Sequence, residues 1–365
     1  MRFTKFLAFI AAVATFAAGC SSNEPDDNNP NNGPSATGGA TLKADVQSLE
    51  VNNPITFTLI ADDGTDITAE ATIYDKTHDF QEVPNPYTPT EDGKYEFYAV
   101  AGNIITDTIT VDVLPSIPAL PEDANASSTE FKHRILLVDH SGNTCGQCPK
   151  MMLALKELAE NDDYHSKYYE AVAHSYAASD PATSSAANAI SSHYGVTGYP
   201  TLTYNFAYST PSSYNTEHIK QQIDAQWKES ADAGIAASAS FATKSVIVNA
   251  EVKAAVENEY RITAWLLEDG IEANQTNATE AWMNTHNNAI RQAVTTNPIS
   301  GKELGTIKAG EKASLAMPLE ITGTKWNRDN FKVMVIASAK NDKGKFEVVN
   351  VAICPVGGSV AYDYK

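Results

Sequence analysis

The feature that most constrains this chain is Cys145-Gly146-Gln147-Cys148, set between the apolar run Ile135-Leu136-Leu137-Val138 and a helix beginning near Pro149. A strand that hands over to a helix at a Cys-x-x-Cys pair puts both thiols at the helix N-terminus. The partial positive charge of the first turn then stabilises a thiolate on Cys145, and two intervening residues let the second thiol close a small disulfide ring. A structural disulfide is the alternative. Zinc binding needs a second ligand pair, and only Cys20 and Cys354 remain as cysteines, so no metal is expected.

The N-terminus says where this chemistry happens. Residues 1–19 have a short basic start (Arg2, Lys5), an apolar run from Phe6 to Ala18, and small residues directly before Cys20. That is the pattern of a bacterial lipoprotein leader, cleaved to leave Cys20 as the lipidated first residue. The mature chain is then exported to a compartment where disulfides persist, held to a membrane through Cys20. No later stretch approaches the roughly 20 apolar residues of a transmembrane helix. The formal charge is −19, and loss of Arg2 and Lys5 with the leader makes it more negative. Nucleic acid and anionic surfaces repel such a chain, so nucleic-acid binding is not expected.

Composition divides the 365 residues further, because a chain of this size exceeds what one core usually holds. Residues 20–41 carry the lipidated cysteine and a Ser-, Asn-, Asp-, Pro- and Gly-rich tether. Its Glu24, Asp26 and Asp27 resemble the signal that sends Bacteroidetes lipoproteins to the outer face of the outer membrane. From 42 to 114, alternating runs such as Ile55-Thr56-Phe57-Thr58-Leu59-Ile60 and Tyr95-Glu96-Phe97-Tyr98-Ala99-Val100 predict an immunoglobulin-like β-sandwich, with Asp92-Gly93-Lys94-Tyr95 at a tyrosine corner. Pro115, Pro118 and Pro121 stiffen a linker over 115–130.

Over 131–234 strands near 133–139, 168–175 and 200–206 alternate with helices near 149–160, 183–193 and 215–230. This is an α/β pattern. The first helix is expected to bury Met152, Leu153, Leu155 and Leu158 and to expose Lys150 and Lys156. Over 235–365 strands return, with a hairpin turn at Asn341-Asp342-Lys343-Gly344, and predict a second β-sandwich with one helical insertion around Glu280 to Ala293. No period repeats along the chain.

Val196-Thr197-Gly198-Tyr199-Pro200-Thr201, ahead of the third α/β strand, resembles the cis-proline loop of the thioredoxin superfamily. With the CxxC in the same unit, the resemblance implies a thioredoxin-like α/β domain between the two β-sandwiches. It also implies a cis Pro200 facing the disulfide, where the Tyr199 backbone would pair with an extended chain. Asp139 stands where thioredoxins keep a buried acid. There it would pass a proton to and from Cys148, while the other reading is a solvated strand-end carboxylate. His140 points to the opposite face and is read as structural. The chain departs from thioredoxins in having Thr144 before the first cysteine and Pro149 after the second.

The order of lipoprotein leader, β-sandwich, CxxC unit and C-terminal β-region resembles the Bacteroidetes lipoproteins related to the twenty-eight-kilodalton outer-membrane protein. Leu267-Glu268-Asp269-Gly270-Ile271 with Gln275, and His286-Asn287-Asn288-Ala289-Ile290-Arg291, are similar to that family's motifs, from Phe131 to about Asn350. The resemblance implies an outer-membrane, surface-exposed lipoprotein with an adhesive or receptor role. His286 and Arg291 are read as structural, with Glu268 and Asp269 as acids for Arg291, and Cys354 as a buried inert thiol. Two functions are compatible with these readings. The first is a binding protein, adhesin-like, with a protein or peptide partner and Cys145–Cys148 as a staple. The second is an extracytoplasmic thiol-disulfide oxidoreductase in which Cys145 is the nucleophile, Cys148 resolves and Pro200 positions substrate, with no cofactor.

Overall fold

The computed structural model describes residues 39–206 and 214–365. The leader, Cys20 and its acidic neighbours lie outside the described residues.

The N-terminal region is built from strands of period two. In Gly93–Ala101 the residues Tyr95, Phe97, Ala99 and Ala101 are all buried, because alternate side chains of a strand share one face. They pack on Leu42, Phe57, Leu59, Ile73, Val111 and Val113. A two-stranded pair, Ala40–Ala44 with Phe57–Ala61, faces a six-stranded sheet centred on Gly93–Ala101 and Ile109–Leu114. The Tyr95 hydroxyl donates to the Glu91 carbonyl at 2.9 Å and ties the entry of its strand. The strand Ala40–Ala44 begins inside the stretch read as tether.

The linker is hydrogen-bonded to strands of the C-terminal half. Ser238 Oγ donates to the Ala119 carbonyl at 2.6 Å, and Asn249 Nδ2 to that of Pro118 at 3.0 Å. Lys253, fully buried, reaches Asp123 Oδ2 at 3.0 Å and the carbonyls of Asn125 and Ala126.

The rest of the molecule corrects the expected fold class. Strands read as a separate thioredoxin-like α/β domain and strands read as a C-terminal sandwich form one eight-stranded sheet. Its order runs Thr201–Tyr204, Ile135–Ser141, Tyr168–His174, Ala289–Ala293, Asn258–Glu268, Phe331–Lys340, Phe346–Pro355, with Lys302–Ile307 also pairing with Asn258–Glu268. The architecture is predominantly β. Among the described residues only three α-helices occur: α1 (Cys148–Ala159), α2 (Ser185–His193) and α3 (Thr216–Gln226). The physical reason is an open edge. The Tyr168 strand would expose its backbone groups if the α/β part stood alone, and the Ala289 strand meets that edge in parallel at Val172, opposite Ala289. One apolar core then runs across the join, from Leu136, Val138, Ala171 and Ala173 to Trp265, Leu267, Ile290 and Met334.

Behind the C-terminal half lies a four-stranded sheet, Lys312–Glu320, Ser245–Ala254, Ala233–Phe241 and Gly358–Val360. The helical insertion is a second correction. The segment is a 3-10 turn, Ala281–Asn284, followed by strands Thr285–His286 and Ala289–Ala293. Asn288, at φ 57°, turns the chain left-handed between the strands, which no continuing helix allows. On α1 Leu155 and Leu158 are buried and Lys150 and Lys156 exposed as expected, while Met151 and Ala154 take the buried places expected of Met152, which is half-buried, and Leu153, which is exposed. The Asn341 hairpin forms as read, with the Gly344 amide donating to the Asn341 carbonyl at 2.8 Å.

Candidate functional site

Cys148 opens α1, with Pro149 in the first turn, where a missing N–H costs no helical bond. Cys145 and Cys148 are joined in a disulfide, Cα to Cα 5.4 Å. Cys145 is 2% exposed and Cys148 0%.

The cover over them is the loop between Ile271–Glu272 and Thr285–His286. Gln275, itself buried, donates through Nε2 to the carbonyls of Cys145 at 3.0 Å and Gly142 at 3.4 Å. The Thr276 amide donates to the Asn143 carbonyl at 2.7 Å, and Asn277 Nδ2 to that of Gly146 at 3.0 Å. Gly146 permits this closeness, and Gly142 the approach of Tyr176. A Cβ on Gly146 would lie 2.8 Å from Asn277 Nδ2, and one on Gly142 2.5 Å from Tyr176 Cβ. The far side of the CxxC loop is fixed by Asp180, which accepts from the Asn143 and Ala182 amides and from His174 Nδ1 at 2.8 Å. Burial opposes its charge, but His174 and the two amides hold its carboxyl down to about 2.

Tyr199–Pro200 is cis, and Thr201 pairs with His140, so Pro200 lies at the sheet end from which the CxxC loop departs. The Tyr199 hydroxyl bonds to Ser175 Oγ at 3.2 Å, and its ring meets that of Tyr176 edge to face at 5.3 Å. His140 is held inside by Ser191 Oγ at 2.7 Å and Thr203 Oγ1 at 3.1 Å, and burial pushes it down to about 4.

Asp139 is 3% exposed, and its Oδ1 is buried without a hydrogen-bond partner. Burial, with the nearby Glu170 charge second, holds its carboxyl well above the usual range. Glu170 is pushed up to about 7, again chiefly by burial. Both acids line a cavity of ≈ 200 Å³ under α1, with Met152, Leu155, Trp282 and His286 among its walls. His286 bonds through Nε2 to the Ala273 carbonyl, and its ring meets His174 edge to face at 4.9 Å.

Arg291 serves the frame. Its Nε meets Glu268 Oε2 at 2.6 Å and its Nη1 reaches the Pro181 and Thr183 carbonyls, while Asp269 pairs instead with Lys332. Cys354 is a buried free thiol, pushed up to about 11 by burial. Sequence reasoning missed Glu170, His174 and Asp180. For Glu170 and His174 the available signal was strand alternation, since Tyr168, Glu170, Val172 and His174 share the face that Asp139 occupies next door, while Asp180 lies beyond the strand and had none. Among the described residues no group of three or more His, Cys, Asp or Glu is arranged to hold a metal ion. No helix among them is long and apolar enough to cross a membrane.

The Glu170 carboxyl gives a pH test. Its folded value of about 7 exceeds the unfolded 4.5, so its contribution to stability is full below 4.5 and is lost as pH rises through 7. Glu170→Gln should therefore gain melting temperature relative to the parent at about pH 8 more than at about pH 5. The difference between the two proteins cancels the histidines that titrate in the same window. An equal difference at both pH values would refute the assignment.

A model of the outer membrane protein Omp28 family matches residues 187–359, a span that includes the covering loop and stops short of the cysteine pair. Among solved structures, HBP35 of Porphyromonas gingivalis is similar in fold, with a TM-score of 0.50 and 14% identity over 63% of this chain and 77% of that one. Surface layer protein SbsC, domains 4–9, aligns over 88% of this chain and 50% of that one at 10% identity with a TM-score of 0.18, too low for any inference. No curated protein matches.

Proposed function

We propose that the chain, whose residues 187–359 match a model of the outer membrane protein Omp28 family, is a surface-displayed outer-membrane lipoprotein, anchored at Cys20, that binds a protein or peptide partner. In this reading Cys145–Cys148 is a staple that holds the CxxC loop for the segment packed on it. The observation that carries the reading is closure. A nucleophilic cysteine must meet a substrate disulfide, and Cys145 is buried beneath a loop that makes hydrogen bonds to Gly142, Asn143, Cys145 and Gly146. The small residues before Cys20 and the acids after it support the anchor and the display.

Cys20→Ser is expected to release the protein from the membrane fraction into the soluble one. Persistence with outer membranes after a high-salt wash would place the anchor elsewhere. Protease added to intact cells should cut the wild-type protein if it is displayed outside, and should spare it if it faces inward.

A further inference from the structure

The cavity under α1 holds two carboxyl groups whose pairing within the protein is incomplete. Asp139 Oδ1 has no hydrogen-bond partner although the residue is only 3% exposed. Glu170 beside it accepts a long hydrogen bond from Asn288 Nδ2 at 3.4 Å and feels the Lys332 charge. A buried carboxyl oxygen without a partner is costly, and a ligand that satisfies it is one reason for a protein to keep it.

The cations nearest the two acids have partners of their own, although Lys156 lines the cavity and the Lys332 charge reaches Glu170. Lys156 Nζ, from α1, lies over the Trp282 ring at 5.2 Å, between Glu160 at 3.8 Å and Glu280 at 3.9 Å. Lys332 is taken by Asp269 at 2.6 Å. His174 is bound to Asp180, and His286 to a carbonyl.

We propose that this cavity is a binding site for an alkylammonium group, its nitrogen set between Asp139 and Glu170 and its methylenes against Met152 and Leu155. An ammonium supplies a countercharge to the two acids and an N–H donor to Asp139 Oδ1, the oxygen that has no partner. A chelated metal is disfavoured, since the surrounding acids and histidines do not converge into a ligand set. The volume of ≈ 200 Å³ suits a short chain. Two sources share this chemistry, a free aliphatic amine and a lysine side chain of a bound partner. Surface display is not required for either.

The test is calorimetric titration of the full chain in detergent, in phosphate and in HEPES, with propylammonium, with cadaverine and with an N-acetyl, C-amidated Gly-Lys-Gly peptide. Saturable binding is expected for at least one probe, with protons released on binding. Affinity should rise about tenfold from about pH 6 to about pH 8 as Glu170 ionises near 7. Preference for the peptide identifies a partner's lysine, and preference for the free amines a small-molecule ligand. Asp139→Asn should weaken binding at least about tenfold while leaving the unliganded protein as stable or more so. Glu170→Gln should reduce the proton release, leaving the share that Asp139 supplies, and serves should the first variant fail to fold. No saturable heat with any probe at about pH 8, or unchanged affinity in both variants, would overturn the proposal. Such results would leave the staple and the anchor untouched.

Discussion

Arg291→Met should lower stability by about 3–5 kcal/mol, read as the shift in the denaturant midpoint. Arg291 lies in the strand that joins the two halves of the large sheet, 3% exposed, with Nε on Glu268 at 2.6 Å and Nη1 on two carbonyls. Truncation leaves the Glu268 carboxylate buried with only the Asn327 amide at 2.8 Å, and a lone buried charge costs far more than the pair is worth. The double variant Arg291→Met, Glu268→Leu should therefore recover most of the loss. A single-variant loss below about 1 kcal/mol would mean that this pair does not hold the join.

Lys253→Met should cost about 3 kcal/mol and expose the linker. The ammonium is fully buried and is the common partner of Asp123, the Asn125 and Ala126 carbonyls and the Tyr364 hydroxyl, with the Tyr362 and Tyr364 rings at 5.8 and 5.4 Å. The cost is set below that of Arg291 because Asp123 keeps Lys312 at 2.8 Å and the Tyr364 hydroxyl at 2.6 Å. Limited proteolysis gives the second readout. Residues 115–130 should be cut faster in the variant, and an unchanged cleavage rate would show that the linker is held by other contacts.

Local structure was legible wherever one segment carries its own signal. The Cys145 pair at a helix start, the Tyr199–Pro200 turn and the Asn341 hairpin each depend on a few adjacent residues and the physics of turns and caps. The features that stayed hidden depend on partners far along the chain. The Tyr168 strand looks complete in sequence, yet its outer neighbour is the Ala289 strand, and no periodicity reveals a pairing at that separation. Reading each half by its own pattern therefore produced a thioredoxin-like domain and a sandwich where the molecule has one continuous sheet. The helix expected around Glu280 to Ala293 failed for a smaller reason, two consecutive asparagines that turn the chain between strands.

The site was legible in its cysteines and opaque in its cover. Asp139 could be read as buried or solvated from its place at a strand end, and only the overlying α1 and the Thr285–His286 strand decide for burial. Gln275 stood out through family resemblance alone, while its contact with the Cys145 carbonyl spans 130 residues. That contact turns the functional argument, because a CxxC open to solvent and one closed beneath a loop have the same sequence.

The reduction potential of Cys145–Cys148 in the full chain tests that closure most directly, measured by equilibration against defined thiol buffers with mass analysis of the alkylated pair. A staple sealed by the loop predicts a value below about −300 mV, raised when Gln275→Ala and Asn277→Gly loosen the cover. A value of about −200 to −120 mV, unmoved by those substitutions, would mark an exchanging disulfide and contradict the account.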